Sequence, residues 1–307
     1  MTPSLFGSTV RPADHDPADL QRAARLGPRI RLGTSSWTFP GWEGLVWGHP
    51  TTDAQLAEEG LSAYAAHPLL GCVGVDRTYY RPVDARTFAR WAAAVPEDFR
   101  FVVKGSRQLT TPWDTAGRWL DPTFAADAVI APMLDGLGER AGPLVLQFPP
   151  LDPAQVGGPD AFADKLHRFL DHLPRARPPV AVEIRTRALY TRRYASALAD
   201  QGASHVVSVY PGLPLVPTQG RLDLATGAHH LVVRWMLRPN LAYREAKAAF
   251  APFNRTLAPD VASRDGIAEV VRAARAADRP AWIIINNKAE GSAPLSARAL
   301  ADAIAGA

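Results

Sequence analysis

Eight short apolar runs recur along the chain, and most are followed by a stretch with helical spacing. They are Ile30–Ser36, Cys72–Asp76, Phe99–Lys104, Pro143–Phe148, Val180–Ile184, His205–Val209, Leu231–Trp235 and Ala281–Asn286. All are rich in Val, Ile and Leu and lack clean polar alternation, which suits strands buried on both faces, as in parallel sheets. Helices are expected between them over Asp53–Ala66, Asp84–Ala94, Pro122–Arg140, Asp160–His172, Leu189–Gln201, Asp265–Ala277 and Ser296–Ile304. Asp or Ser stands at several of their starts and Gly or Pro beyond most of their ends, the chemistry that satisfies free backbone groups at helix termini. This alternation predicts an α/β protein built as a single (β/α)8 TIM-type barrel. The pattern is irregular around the sixth and seventh βα units. Tyr210–His230 is rich in Pro and Gly and shows no strong helix, and an extra helix is expected near Ala242–Phe250. Residues 1–29 form an N-terminal extension with a short helix ending near Leu26, which covers the barrel's bottom or stays partly unfolded; residues 30–307 form the barrel domain.

Composition narrows the function classes. No apolar stretch approaches the ~20 residues that a spanning helix needs, so no membrane partner is expected. The single cysteine, Cys72, cannot build a disulfide framework. The first thirty residues carry Pro, Asp and Arg where a secretory signal would be apolar, so the expected compartment is the cytoplasm. The formal net charge is only +4, which makes any basic patch local. Just four of the 34 basic residues are lysines: Lys104, Lys165, Lys247 and Lys288.

In such barrels the chemistry sits at the carboxyl ends of the strands. The ends of the runs read Ser35, Ser36 and Trp37; Asp76, with Tyr79 and Tyr80 beyond; Lys104; Gln147; Glu183 and Arg185; Ser208 and Tyr210; Arg234; and Asn286, Asn287 and Lys288. Unpaired and buried, so many polar groups would be costly, so they must either pair with one another or meet a ligand. Mutual pairing would join Glu183 to Arg234 and Asp76 to Lys104. As a ligand site, the set has two carboxylates against four cations, and a concave site focuses that surplus. Phosphate or carboxylate is the expected ligand chemistry, with arginine able to bind either bidentately. Two of the four lysines fall at strand ends, although the chain otherwise uses arginine; the two cations are not interchangeable.

No histidine falls at a strand end and no Cys/His ligand spacing is present, which argues against zinc. No cofactor is expected, apart from a weak Mg2+ site through Asp76 and Glu183. Three of the eight tryptophans lie in Trp37–Trp47, the first βα loop, and Trp113, Trp119 and Tyr243 lie in other top loops. Aromatic faces beside positive charge suit stacking of bases or sugars. Trp42 and Trp47 are expected to plug the mouth instead, whereas Trp37 and one of Tyr79 and Tyr80 would face the ligand.

The chain resembles the YecE-like family, also called domain of unknown function 72. The resemblance rests on Gly33-Thr34-Ser35-Ser36-Trp37, Thr78-Tyr79-Tyr80-Arg81-Pro82 and Phe99-Arg100-Phe101-Val102-Val103-Lys104. It continues through Leu146-Gln147-Phe148-Pro149-Pro150, Val182-Glu183-Ile184-Arg185 and Asn286-Asn287, with Gly291, Ala293 and the final helix beyond. It implies a TIM-type barrel like that of endonuclease IV and xylose isomerase, and a nucleic-acid role inferred from fold likeness alone. Three positions depart from the family pattern. Asp76 stands where many members have Glu, Trp235-Met236-Leu237-Arg238 replaces a His-Gly pair, and Lys288 replaces a common acidic residue. The last two make this mouth more basic and less able to hold a metal.

The expected function is binding of a phosphate-bearing ligand, nucleic acid or nucleotide, at the mouth, with hydrolytic or lyase-type processing. Glu183, Asp76 and Lys104 are the candidate catalytic residues, Glu183 as acid or base and Asp76 orienting it or a water. Lys104, Arg185, Arg234 and Lys288 would hold anionic oxygens, and Gln147, Asn286 and Asn287 would fix the ligand by hydrogen bonds. Two alternatives stand beside this: a non-catalytic binder of single-stranded nucleic acid, and a metal-independent enzyme acting on a sugar or sugar acid.

Overall fold

The computed structural model describes residues 9–306. Its strands are β1 (Ile30–Thr34), β2 (Leu70–Val75), β3 (Arg100–Lys104), β4 (Ala141–Gln147), β5 (Val180–Glu183), β6 (Ser204–Val209), β7 (Leu231–Trp235) and β8 (Ala281–Ile285). They pair in sequence order, all parallel, and β8 closes on β1 to make an eight-stranded barrel. The absence of polar alternation follows from burial on two sides. One face of the strands puts Cys72, Val102, Val145, Ala181, Val206, Val232, Trp282 and Ile284 in a cluster of their own. The other face sends Leu32, Phe101, Val103, Leu144, Leu146, Val207 and Ile283 into the layer beneath the helices.

Helix starts follow the expected capping chemistry. The Thr52 side chain accepts from Gln55 N while Gln55 reaches back to the Thr52 backbone, and Asp84 and Asp260 cap their helices at Thr87 N and Ser263 N. Two segments depart from expectation. Pro122–Arg140 is not one regular helix: an α-turn over Pro122–Ala125 widens to a π-helix over Ala126–Ile130 before Ala131–Leu137 resumes as α. Pro132 lies just past the widened turn, where it lacks an N–H and its ring would crowd the carbonyl one turn back. Tyr210–His230 does contain a helix, Val216–Ala225. Its interior Gly220 weakens the sequence signal yet serves packing, since a Cβ there would lie 2.6 Å from Val270 of helix Val261–Ala276. The seventh unit carries the expected extra helix, at Tyr243–Phe250.

The described part of the N-terminal extension is tied to the barrel's side and to its first loop. Ala13 N donates to Val46 O and Gly48 N to Arg11 O, both at 2.9 Å. Helix Pro17–Leu26 packs on Ala293–Ala305, where the fully buried Asp19 accepts from both Nε and Nη2 of Arg298, with Nε shared between its two oxygens, and from Arg22 Nη1. Among the described residues no helix is long and apolar enough to cross a membrane.

Candidate functional site

The site is the last layer of the barrel interior. Side chains in a strand alternate between faces, so the residue two beyond each apolar interior position faces the same cavity. Val102 is followed by Lys104, Val145 by Gln147, Ala181 by Glu183, Val206 by Ser208, Val232 by Arg234 and Ile284 by Asn286. Strand register then sets neighbours side by side, Gln147 beside Glu183 and Ser208 beside Arg234.

Glu183 anchors this layer. Fully buried, it accepts from Arg185 Nε at 3.0 Å and Ser208 Oγ at 3.2 Å on one oxygen, and from Arg234 Nη1 on the other. Arg234 also reaches Gln147 Oε1 at 3.4 Å and Asp76 Oδ1 at 3.2 Å. Burial pushes the Glu183 carboxyl upward, but Arg234, Arg185 and Lys104 outweigh it and hold the group at about 2. Glu183 is therefore a fixed carboxylate with both oxygens engaged. Asp76 is the carboxylate open to solvent, its side chain 40% exposed. Arg234 donates to both, so a guanidinium lies between the two acidic groups rather than an open cation position. Among the described residues no cluster of three His, Cys, Asp or Glu side chains could hold a metal.

The two lysines are placed differently. The ion pairs of the mouth are Arg185–Glu183, Arg234–Glu183 and Arg234–Asp76, and among the described residues neither lysine joins one. Asp76 thus pairs with Arg234, not with Lys104. Lys104, 9% exposed, sets its ammonium 3.8 Å from the centre of the Tyr79 ring. The neighbouring Thr78 ties the turn after β2 to the end of β3, its hydroxyl proton shared between Val75 O and Lys104 O. Burial, against the pull of Asp76, pushes the Lys104 amine down to about 8. Lys288, 6% exposed, donates to Asn286 Oδ1 at 3.0 Å and lies 4.6 Å from the Tyr243 ring centre. Burial and then Lys247 lower its pKa, with Asp76 opposing. Two carboxylates and two arginines neutralise one another. The surplus of two positive charges resides on two desolvated lysines backed by tyrosine rings.

Other candidates fall outside the cavity. Trp37 is buried, donates to Leu56 O at 3.0 Å and meets Trp91 edge-on, so it has no free face to offer a ligand. Asn287, one residue out of phase with Asn286, points to the helix side. It accepts from Trp42 Nε1 at 3.1 Å and Ala293 N at 2.8 Å, which makes it a loop and helix anchor. Asn286 does face the cavity, donating to Ser35 Oγ at 2.7 Å. Trp42 and Trp47 are fully buried and plug the first loop. Gly41 lets that loop meet the seventh, since a Cβ there would lie 1.7 Å from Pro252 O. Tyr80 is 72% exposed, on the rim beside Tyr79. Tyr210, just past the end of β6, supports Arg185, whose guanidinium lies 4.0 Å from its ring centre.

Fold and site together define a TIM-type barrel whose C-terminal mouth holds a buried ion-pair network flanked by two lysines that have no ion-pair partner among the described residues. The chain belongs to the family described as protein of unknown function DUF72, whose model matches residues 31–307. A DUF72 family protein from Enterococcus faecalis is similar in structure, with a TM-score of 0.61 and 20% identity over 90% of this chain and 95% of that one. Another, from Thermotoga maritima, superposes with a TM-score of 0.58 and 18% identity over 88% of this chain and 97% of that one. At such identities the likeness shows the fold. No curated protein matches the sequence.

Proposed function

We propose that the mouth of this barrel binds a phosphate-bearing ligand, with Lys104 and Lys288 taking the anionic oxygens and Arg185 assisting. The observation that carries this is the pair of buried ammonium groups that have no acidic partner among the described residues, beside a network already neutral in itself. A desolvated charge is costly unless paired, and a phosphoryl dianion would match the two surplus charges. Gln147 and Asn286 supply hydrogen bonds at the same level. Asp76, rather than Glu183, is the carboxylate that a bound ligand can reach and the one placed to move a proton. Anion binding here rests on protein cations and calls for no resident metal.

The test is calorimetric titration with inorganic phosphate and ribose 5-phosphate. Lys104→Met and Lys288→Met should each weaken binding by about tenfold to a hundredfold, the scale of a charge-assisted hydrogen bond. Affinity should also fall as salt rises from ~50 to ~200 mM. Binding indifferent to both lysines and to salt would overturn the reading. Preference for a sugar carboxylate over any phosphate would favour the sugar-acid alternative.

A further inference from the structure

A groove of about 360 Å3 adjoins the mouth, lined by Tyr79, Tyr80, Arg107, Thr111, Trp113, Asp114, Thr115 and Pro149. It belongs to the loops after β2, β3 and β4, all on the C-terminal face. Trp113 is 55% exposed and Tyr80 72%, so the groove presents two open aromatic faces side by side with a third ring, Tyr79. Tyr79 and Tyr80 meet edge-to-face at 5.3 Å, and Asp114 holds Arg107 at 3.3 Å. Tyr79 belongs to both places, as groove wall and as the face on which Lys104 rests. From the Lys104 ammonium to the Tyr79 ring is 3.8 Å, and from that ring to Tyr80 another 5.3 Å. The Lys104 ammonium, the Tyr79 ring and the Tyr80 ring are thus successive contacts that join the cation of the mouth directly to the groove.

We infer that this groove is a nucleobase subsite, so that the phosphate-bearing ligand of the mouth is a nucleoside phosphate whose base stacks on Tyr80 and Trp113. The inference rests on the phosphate reading above and narrows it. Stacking on aromatic faces is tolerant of base identity because every base has a π-face, and the rim guanidinium of Arg107 can add a cation over the ring or a contact to a further phosphate. A free nucleotide and the 5′-phosphorylated end of a single strand share this chemistry. A single strand would gain further contacts on the far side of the mouth, where Tyr243 is likewise 55% exposed.

Titration of the full chain with ribose 5-phosphate, adenosine 5′-monophosphate and a 5′-phosphorylated hexathymidylate separates the terms. Adenosine monophosphate should bind about tenfold or more tighter than ribose 5-phosphate, the worth of a stacked base. Trp113→Ala, on an exposed ring away from Lys104 and Lys288, should remove most of that margin and leave ribose 5-phosphate unchanged, and Tyr80→Ala should reduce the margin as well. Tighter binding of the hexamer than of the mononucleotide would identify a strand as the source, and equal binding a free nucleotide. Equal affinity for ribose 5-phosphate and adenosine monophosphate, with both variants silent, would overturn the subsite while leaving the phosphate site intact. Binding of none of the three probes would overturn both.

Discussion

The two ends of the barrel treat buried charge in opposite ways. At the bottom, Arg279 donates to Asp223 at 2.8 Å and to His230 O at 2.6 Å, His230 meets Ser204 at 2.9 Å, and His205 meets the Tyr194 hydroxyl at 3.0 Å. The buried cation there has its carboxylate, and the histidines are held neutral. At the mouth, Glu183 and Arg234 close a network of the same kind, but Lys104 and Lys288 stand outside it. At the bottom the buried cation is matched by a carboxylate, the kind of pairing that serves stability at that end of a barrel, although Asp223 Oδ1, Arg279 Nε and His205 Nε2 find no hydrogen-bond partner among the described residues. At the mouth the two ammonium groups have no carboxylate partner among the described residues, which is the feature the proposed anion would answer. The contrast breaks if mouth and bottom respond alike to mutation and pH.

The largest effect should come from Glu183. Glu183→Gln leaves Arg234 buried against a neutral amide and should cost about 3–5 kcal/mol in the unfolding free energy, measured by denaturant titration. Replacing both partners, as Glu183→Leu with Arg234→Met, should cost less than the single change, because no uncompensated charge remains. A single variant as stable as the parent would show that this network is not the closed structural element described.

That network was legible in the sequence at the level of residue type, and the parity of the strands explains where the reading went astray. Lys104, Gln147, Glu183, Arg234 and Asn286 each sit two positions beyond an interior residue, so strand identity alone directs them towards the barrel interior. Asn287 sits one position off and turns outward to anchor a helix. Trp37 lies past the end of β1, where alternation no longer dictates direction, and its ring turns into the core. The helix Val216–Ala225 was hidden for a different reason: Gly220 lowers its helical signal because a neighbouring helix needs the space. The groove could not be foreseen, since Arg107, Trp113 and Pro149 come together only through loops whose course no periodicity encodes.

A smaller, pH-dependent effect should mark the bottom. Burial pushes His205 down to about 4 from its ordinary 6.5. The unfolded chain therefore binds more protons than the native one between these values, so stability is lost as pH falls from 6.5 to 4. For this one fully buried group the loss is on the order of 2–3 kcal/mol. His205→Gln should flatten the decline of unfolding free energy over that window, whatever it does to stability at pH 7. An unchanged slope would mean that His205 is not held neutral by its burial against Tyr194.

The smallest effect should lie at Lys104, and it carries the opposite implication for the mouth. Methionine preserves most of the aliphatic stem and removes the charge. Lys104→Met should therefore leave the ligand-free protein as stable as the parent, or more stable by about 1 kcal/mol, because the parent bears the cost of an unpaired buried ammonium. The pH dependence has the matching sign. The amine is pushed from 10.5 to about 8, so between these values the unfolded chain holds the extra proton and the parent gains stability as pH rises. In Lys104→Met that gain should shrink. Ribose 5-phosphate should shrink it as well, since a bound phosphate favours the charged amine and raises its pKa towards the ordinary value. A destabilised Lys104→Met with an unaltered alkaline profile would make Lys104 a structural cation like Arg279 at the bottom, and the distinction between the two ends of the barrel would fail.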